Sequence, residues 1–379
     1  MNLKVSRHNL RHPHPNMTQD AVNVSQLQEF DEIVDVRSPS EYALDHIPGA
    51  RNYPVLDDAE RVRVGTMYVQ ESAFSAKKVG AALVARNIAG HLETAFAGKP
   101  KSWRPLVYCW RGGQRSAAMT IVLRQTGWDA RRLAGGYKAF RRQVVHDIDR
   151  LTEGVSFRVI CGLTGSGKSA LLRALAACGA QVLDLEQAAA HRGSVLGDLP
   201  GDPQPTQKMF DSRTWDMLRK FERTRPVYVE AESRKIGRLR VASALIDRMR
   251  ASPCILLDTT PPARVDLLLR EYAHFTLDHA SLFTKLENLV RLHGKDAIDR
   301  WKALAMAGDW HAFVLDLLNH HYDPAYRKSS EANYPGLKRA RKIVATEASD
   351  AEFSALAADL IAQETDGNSL AHTCADLPT

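Results

Sequence analysis

Gly162-Leu163-Thr164-Gly165-Ser166-Gly167-Lys168-Ser169 fills the pattern G-x-x-x-x-G-K-S. The strand-like run Arg158-Val159-Ile160-Cys161 precedes it, and the helical run Ala170-Leu171-Leu172-Arg173-Ala174-Leu175 follows. A glycine-rich loop between a strand and a helix turns its N–H groups, and the positive end of the helix, toward a phosphate. Lys168 reaches the terminal phosphates, and the Ser169 hydroxyl is placed to ligate Mg²⁺. Gly162, Gly165, Ser166, Gly167, Lys168 and Ser169 are therefore the expected phosphate-binding residues, and residues 155–363 are expected to form an α/β domain around them.

Working outward toward the C-terminus, three apolar runs each end in an acid: Val182-Leu183 in Asp184, Val227-Tyr228-Val229 in Glu230, and Ile255-Leu256-Leu257 in Asp258. Glu230 and Asp184 rank ahead of Asp258 as metal carboxylates, Asp184 joining Ser169 as a Mg²⁺ candidate. Each acid could equally cap a helix. The loops His191-Arg192-Gly193-Ser194 and Glu230-Ala231-Glu232-Ser233-Arg234-Lys235-Ile236-Gly237 are polar and Gly-punctuated. They read as substrate loops or as solvated ones, with His191, Arg192, Glu230, Ser233 and Arg234 the substrate-binding candidates. A helical pattern runs from Asp278 to about Trp310 and again from Ala312 to Leu318, with Tyr322-Asp323-Pro324 expected to end it. Polar residues from 364 to 379 predict a disordered tail.

Toward the N-terminus, residues 18–150 alternate short β-rich runs, among them Ile33-Val34-Asp35-Val36, Leu106-Val107-Tyr108 and Arg131-Arg132-Leu133, with helical patterns. Such alternation predicts a second parallel sheet flanked by helices. Cys109 directly follows Pro105-Leu106-Val107-Tyr108, at the carboxyl end of a strand, where open α/β sheets place their ligands. The next residues, Trp110-Arg111-Gly112-Gly113-Gln114-Arg115-Ser116, combine a tight glycine loop, a helix start and two guanidinium groups. That electropositive setting would stabilise a thiolate or a bound oxyanion, so Cys109 is a candidate nucleophile. The alternative is a buried structural thiol. Residues 1–17 read as a disordered extension.

The formal net charge of +7 on 379 residues suits a polyanionic partner or merely a solvated basic surface. Between Asp211 and Arg250 there are 11 Lys/Arg against 6 Asp/Glu, and Lys338, Arg339, Arg341 and Lys342 form another basic cluster. The five cysteines make no CxxC pair and no even framework, which argues against a zinc site or a disulfide scaffold. No run of 18 apolar residues is present, so a cytoplasmic protein is expected.

Asp35-Val36-Arg37-Ser38-Pro39-Ser40-Glu41-Tyr42 with His46-Ile47-Pro48-Gly49-Ala50-Arg51-Asn52, and Leu133-Ala134-Gly135-Gly136-Tyr137-Lys138-Ala139-Phe140, resemble the two signatures of the rhodanese family. The resemblance implies a sulfur- or selenium-carrying role for Cys109. Cys109 to Arg115 reads C-x5-R, one residue longer than the common sulfurtransferase loop and the spacing of phosphatases of this fold. The rhodanese-like part, followed by the P-loop with His191-Arg192-Gly193-Ser194 and Glu230–Gly237, resembles the bacterial tRNA 2-selenouridine synthase family. Thr66-Met67-Tyr68 and His321-Tyr322-Asp323-Pro324 agree as well, while Ala231 stands where an acid is expected.

That resemblance implies selenation of 2-thiouridine at the tRNA wobble position from selenophosphate, through an S-geranyl intermediate made from geranyl diphosphate. Cys109 would handle the chalcogen, Arg111 and Arg115 would hold the oxyanion, and no tightly bound cofactor is expected, Mg²⁺ remaining an open candidate. The P-loop could take the diphosphate of geranyl diphosphate, a nucleotide or a tRNA phosphate, the first being preferred. Other readings stay open: a P-loop kinase or ATPase with a sulfur-sensing rhodanese-like part, a C-x5-R phosphatase, or a tRNA-binding scaffold.

Overall fold

The computed structural model describes residues 21–375. These form two units that divide at Gln143, inside the helix Gly136–Thr152. The expected boundary at 150–155 lies at the end of that helix. Its first turn carries Tyr137, whose hydroxyl donates to Asp45 of the first unit, and its later turns carry Asp147, which accepts from the Trp215 indole of the second.

The first unit is a five-stranded sheet of β1 (Ala21–Val22), β2 (Glu32–Asp35), β3 (Arg51–Asn52), β4 (Pro105–Tyr108) and β5 (Arg131–Leu133). Its order is β1-β5-β4-β2-β3, with every pair parallel. All four residues of β4 are buried, as expected of a central strand covered on both faces, and this is why its sequence is apolar without alternation. Asp35 of β2 stands opposite Tyr108 of β4. The first rhodanese-like signature and Cys109 therefore leave the sheet at the same carboxyl edge. Val34, Val107, Phe96, Trp103, Met119 and Leu123 make the core. Arg37 is buried against it: Nε and Nη2 hold both oxygens of Asp35, Nη2 also donates to the Asp45 carbonyl, and the guanidinium lies 4.2 Å from the centre of the Tyr137 ring. A buried cation needs such complete pairing.

The second unit contains β6 (Phe157–Cys161), β7 (Gln181–Leu183), β8 (Val227–Glu230), a small antiparallel hairpin of β9 (Lys235–Ile236) and β10 (Leu239–Arg240), then β11 (Cys254–Thr259) and β12 (Arg341–Ala345). The main sheet is parallel, in the order β12-β11-β6-β8-β7. The P-loop strand β6 is thus central and pairs with β8, Ile160 opposite Glu230. Leu171, Leu172 and Leu175 of the helix Lys168–Ala177 pack with Ile160, Leu257 and Phe353 in one core. A second core of Leu282, Leu286, Ile298, Trp301, Phe313 and Leu317 holds the helical C-terminal part.

Two expectations for that part are corrected. Tyr322-Asp323-Pro324 does not end the helices: a π-helical run, Leu318–Tyr322, leads straight into the helix Asp323–Asn333. Proline at the start of a helix removes an N–H that has no partner there, so it opens this one. The boundary expected at 364 also falls inside a helix, Asp350–Ala375. Arg158 donates to both oxygens of Glu364, at 2.5 and 2.8 Å, tying the helix to the sheet where the polar residues begin. The expected N-terminal extension, 1–17, and residues 376–379 lie outside the described residues. Among the described residues no helix is long and apolar enough to cross a membrane.

Candidate functional site

In the first unit Cys109 is buried at the end of β4, its sulfur 3.2 Å from the Ser116 hydroxyl. Gly113 precedes the helix Gln114–Gln125, so the loop feeds the positive end of that helix as expected. The second signature grips the loop from outside: Tyr137 N donates to the Cys109 carbonyl at 2.9 Å and Lys138 N to that of Trp110 at 3.0 Å. Gly136, at φ +58°, lies so close that a Cβ there would stand 2.2 Å from the Cys109 oxygen. This approach needs glycine. Trp110, about one-third exposed, stacks on Tyr137 with centroids 5.1 Å apart. Arg111 is exposed. Arg115 is not presented to the loop as a lone cation: its Nη1 and Nη2 hold the Glu41 carboxylate at 2.6 and 3.3 Å. Glu41 also accepts from Ser38 N in a capping box, so the pair joins the first signature to the loop helix.

In the second unit Gly162–Gly167 make the loop between β6 and the helix Lys168–Ala177. Lys168 Nζ donates to the Gly162 carbonyl at 3.0 Å and sits 5.3 Å from the centre of the Tyr326 ring. Burial works against its ammonium, but Tyr326, Glu230, Glu186 and Glu232 outweigh that and raise its pKa above the ordinary lysine range. It stays charged. The loop is braced from behind by Arg264, which donates to the Thr164 carbonyl through Nε and Nη2 and to both oxygens of Asp323. Thr259 fixes the Ser166 carbonyl at 2.7 Å.

Facing Lys168 and Ser169 are three carboxylates, Glu186, Glu230 and Glu232, whose oxygens lie within 4.8 Å of one another. Burial first and mutual repulsion second push Glu186 well above the carboxylate range and Glu232 up to about 8. Burial also raises Glu230, against the pull of Lys168. Only Glu230 of this trio was singled out by the sequence. Asp184 lines the cleft, but its side chain caps the helix Leu185–Ala189 through Gln187 N at 2.8 Å; Glu186, two residues on, meets the Ser169 hydroxyl instead, at 3.4 Å. Asp258 pairs with Lys342 and stands outside the cleft. Glu186 and Glu232 carried a sequence signal only in lying within two residues of a strand-end acid.

The loop His191–Ser194 lines the same cleft. His191 is buried and its Nδ1 accepts from Gly193 N at 3.0 Å, so its proton is on Nε2, which faces Asp198 at 3.4 Å. Burial lowers its pKa, and it orders the loop rather than standing ready as a base. Arg192 lies 4.7 Å over the centre of the Tyr272 ring, and its buried Nη1 has no hydrogen-bond partner among the described residues, leaving a donor for an anion in the cleft. Ser233 also lines the cleft, but its hydroxyl is turned back onto the Lys235 carbonyl. Arg234 does not line it: the chain reverses here into the β9–β10 hairpin, and Arg234 pairs with Asp247 at 2.9 Å. Much of the basic stretch 211–250 is committed in the same way, Arg219 and Lys220 to Asp216, Arg223 to the Glu153 carbonyl and Arg248 to that of Val155.

An apolar cavity opens beside the cleft and shares Thr164, Ser194, Leu268, Tyr272 and Tyr322 with it. Its remaining wall includes Leu196, from the turn after Ser194, and Phe275, Trp310, Phe313 and Leu317, from the helical part. No local pattern signals this cavity, since most of its residues read as ordinary helix core.

A strand-end cysteine loop in a parallel-sheet unit, followed on one chain by a P-loop unit, defines a rhodanese-like and P-loop fusion protein. Residues 19–143 match the family model for the rhodanese-like domain, and residues 155–288 the model for the tRNA 2-selenouridine synthase AAA domain. A tRNA 2-selenouridine synthase of Bdellovibrio bacteriovorus is 35% identical over 289 residues, 75% of this chain and 74% of the relative. One of Bordetella bronchiseptica is 34% identical over 330 residues, 79% of this chain and 88% of the relative. With that of Nitrosomonas europaea the identity is 36% over 244 residues, and the match spans 63% of each chain, less than two thirds of that relative. The chain belongs to the tRNA 2-selenouridine synthase family.

Proposed function

We propose that this protein modifies tRNA in two steps, geranylating 2-thiouridine at the wobble position with geranyl diphosphate and then replacing the S-geranyl group by selenium from selenophosphate. The observation that carries the first step is the apolar cavity contiguous with the P-loop cleft. A diphosphate head suits the cleft and a hydrocarbon tail suits the apolar lining beside it, whereas a nucleotide presents no such tail. In this reading Lys168, the loop N–H groups and Arg192 take up the negative charge that grows on the diphosphate as the thio sulfur attacks carbon 1 of the geranyl group. Tyr272 and Tyr322, common to cavity and cleft, stand where head and tail would meet.

For the second step Cys109 handles the chalcogen in the anion loop that holds selenophosphate. The selenium of selenophosphate adds at carbon 2 of the base, the sulfur leaves with its geranyl group as the thiol, and water then cleaves the selenium–phosphorus bond to release phosphate. The thioether eases this step because carbon 2 of an S-alkylated ring is more electrophilic than that of a thiocarbonyl. Reaching the base requires it to be turned out of its stack. Arg111 and the loop N–H groups are the anion donors at this site. The pinning of Arg115 by Glu41 counts against a C-x5-R phosphatase, whose arginine must face the loop anion.

The test is mass spectrometry of nucleosides from 2-thiouridine-containing tRNA incubated with geranyl diphosphate and selenophosphate. The wild type should yield 2-selenouridine, Cys109→Ala should stop at the S-geranyl nucleoside, and Lys168→Ala should lose the S-geranyl product by at least tenfold. A wild type that makes neither product overturns the reading. Isothermal titration showing that Lys168→Ala abolishes binding of ATP, with no binding of geranyl diphosphate by the wild type, would assign the cleft to a nucleotide instead.

A further inference from the structure

We infer that Glu186, Glu230 and Glu232 form a divalent-cation site belonging to the protein itself, able to hold its ion before any phosphate-bearing ligand enters the cleft. The inference goes beyond the proposed reaction and holds whichever phosphate ligand the P-loop takes. Three elements converge to build it: the start of the helix Leu185–Ala189, the last residue of β8, and the residue two beyond. One oxygen from each lies within 4.8 Å of the others, the separation expected when several oxygens surround one ion at about 2.0–2.6 Å.

A second observation points independently to a ligand. Glu230 is only 5% exposed, and its Oε1 has no hydrogen-bond partner among the described residues. A buried carboxylate oxygen without a partner is costly, and a bound cation removes that cost. The neighbouring loop is shaped to leave the cluster room. Gly193, at φ +67°, passes so close that a Cβ would stand 2.7 Å from Glu186 Oε1 and 3.6 Å from Glu232 Oε1. The Ser169 hydroxyl, 3.4 Å from Glu186 Oε2, offers a further oxygen.

The donor set is all oxygen and mostly anionic, which selects Mg²⁺, Mn²⁺ or Ca²⁺ over softer metals. Magnesium at phosphate sites usually relies on one or two protein carboxylates plus the phosphates themselves. Here three carboxylates face the single charge of Lys168, so the protein should retain the ion alone.

The experiment is a Mn²⁺ titration of the full chain, in phosphate-free buffer without ligand, followed by the paramagnetic resonance signal of the free ion. We expect wild type to remove one Mn²⁺ per chain from the free signal and to release it on adding Mg²⁺. E230Q and E232Q should each weaken binding by tenfold or more. Without metal, either variant should melt at or above the wild-type temperature, because glutamine avoids the crowding of buried carboxyls, and should lose the rise in melting temperature that Mg²⁺ gives wild type. If circular dichroism shows one variant unfolded, E186Q serves in its place. A free-ion signal unchanged by wild type, or Mn²⁺ bound equally by wild type and the glutamine variants, would overturn the inference.

Discussion

Arg115 and Lys168 are both cations beside glycine-rich loops at the ends of strands, yet their neighbours give them opposite conditions. Arg115 already has a carboxylate, whereas Lys168 donates to backbone carbonyls that a phosphate can displace. Burial pushes the Glu41 carboxyl up, but its bonds from Arg115 and Ser38 more than offset this and hold it below its ordinary pKa. A carboxyl lowered in the folded state contributes stability above its unfolded value of 4.5, and that contribution is lost as pH falls through the folded value. Glu41→Gln should therefore cost about 1–2 kcal/mol at pH 7, read from urea midpoints, with the difference from wild type shrinking below pH 4.5. The pairing of Arg115 could not be foreseen, because Glu41 and Arg115 stand in separate signatures and only the sheet brings those together.

At the scale of elements, the π-helical run Leu318–Tyr322 is the piece the sequence misled on, since proline reads equally as the end of one helix and the start of the next. Its consequence is local geometry: His321, buried, meets His293 with Nδ1 and Nε2 2.8 Å apart, one nitrogen donating and the other accepting. Burial lowers both pKa values, aided by the partner ring at His321 and by His320 at His293. A histidine lowered in the folded state stabilises fully above its unfolded value of 6.5, and that stability is lost as pH falls. The melting temperature should drop between pH 7 and pH 5, and His321→Gln should flatten that drop. An unchanged pH profile in the variant would show that the pair is not its source. Because Tyr322 at the end of the run lines both cavity and cleft, the proposed binding of geranyl diphosphate should weaken in acid over the same range.

Across the whole molecule, the C-terminal helix Asp350–Ala375 closes the core behind the P-loop. Phe353, fully buried, packs so tightly on Gly167 that a Cβ there would meet its ring at 2.2 Å. Phe353→Ala should cost about 3–5 kcal/mol by urea denaturation and weaken phosphate-ligand binding, because the loop loses its backing; a stability loss with full affinity would separate the two roles. What the sequence determined by itself was local: Gly162–Ser169 between a strand and a helix, Cys109 at the end of an apolar run, and two parallel α/β sheets. Each follows from residue type and spacing within a short stretch. Tertiary structure alone decided which side chains meet. It paired Arg115 with Glu41, gathered Glu186, Glu230 and Glu232 around one point, sent Asp184 to a helix cap and Arg234 out of the cleft, and set an apolar cavity beside a phosphate loop. Those outcomes depend on the order and register of parallel strands, which place residues far apart in the chain at one sheet edge and leave no local pattern to read.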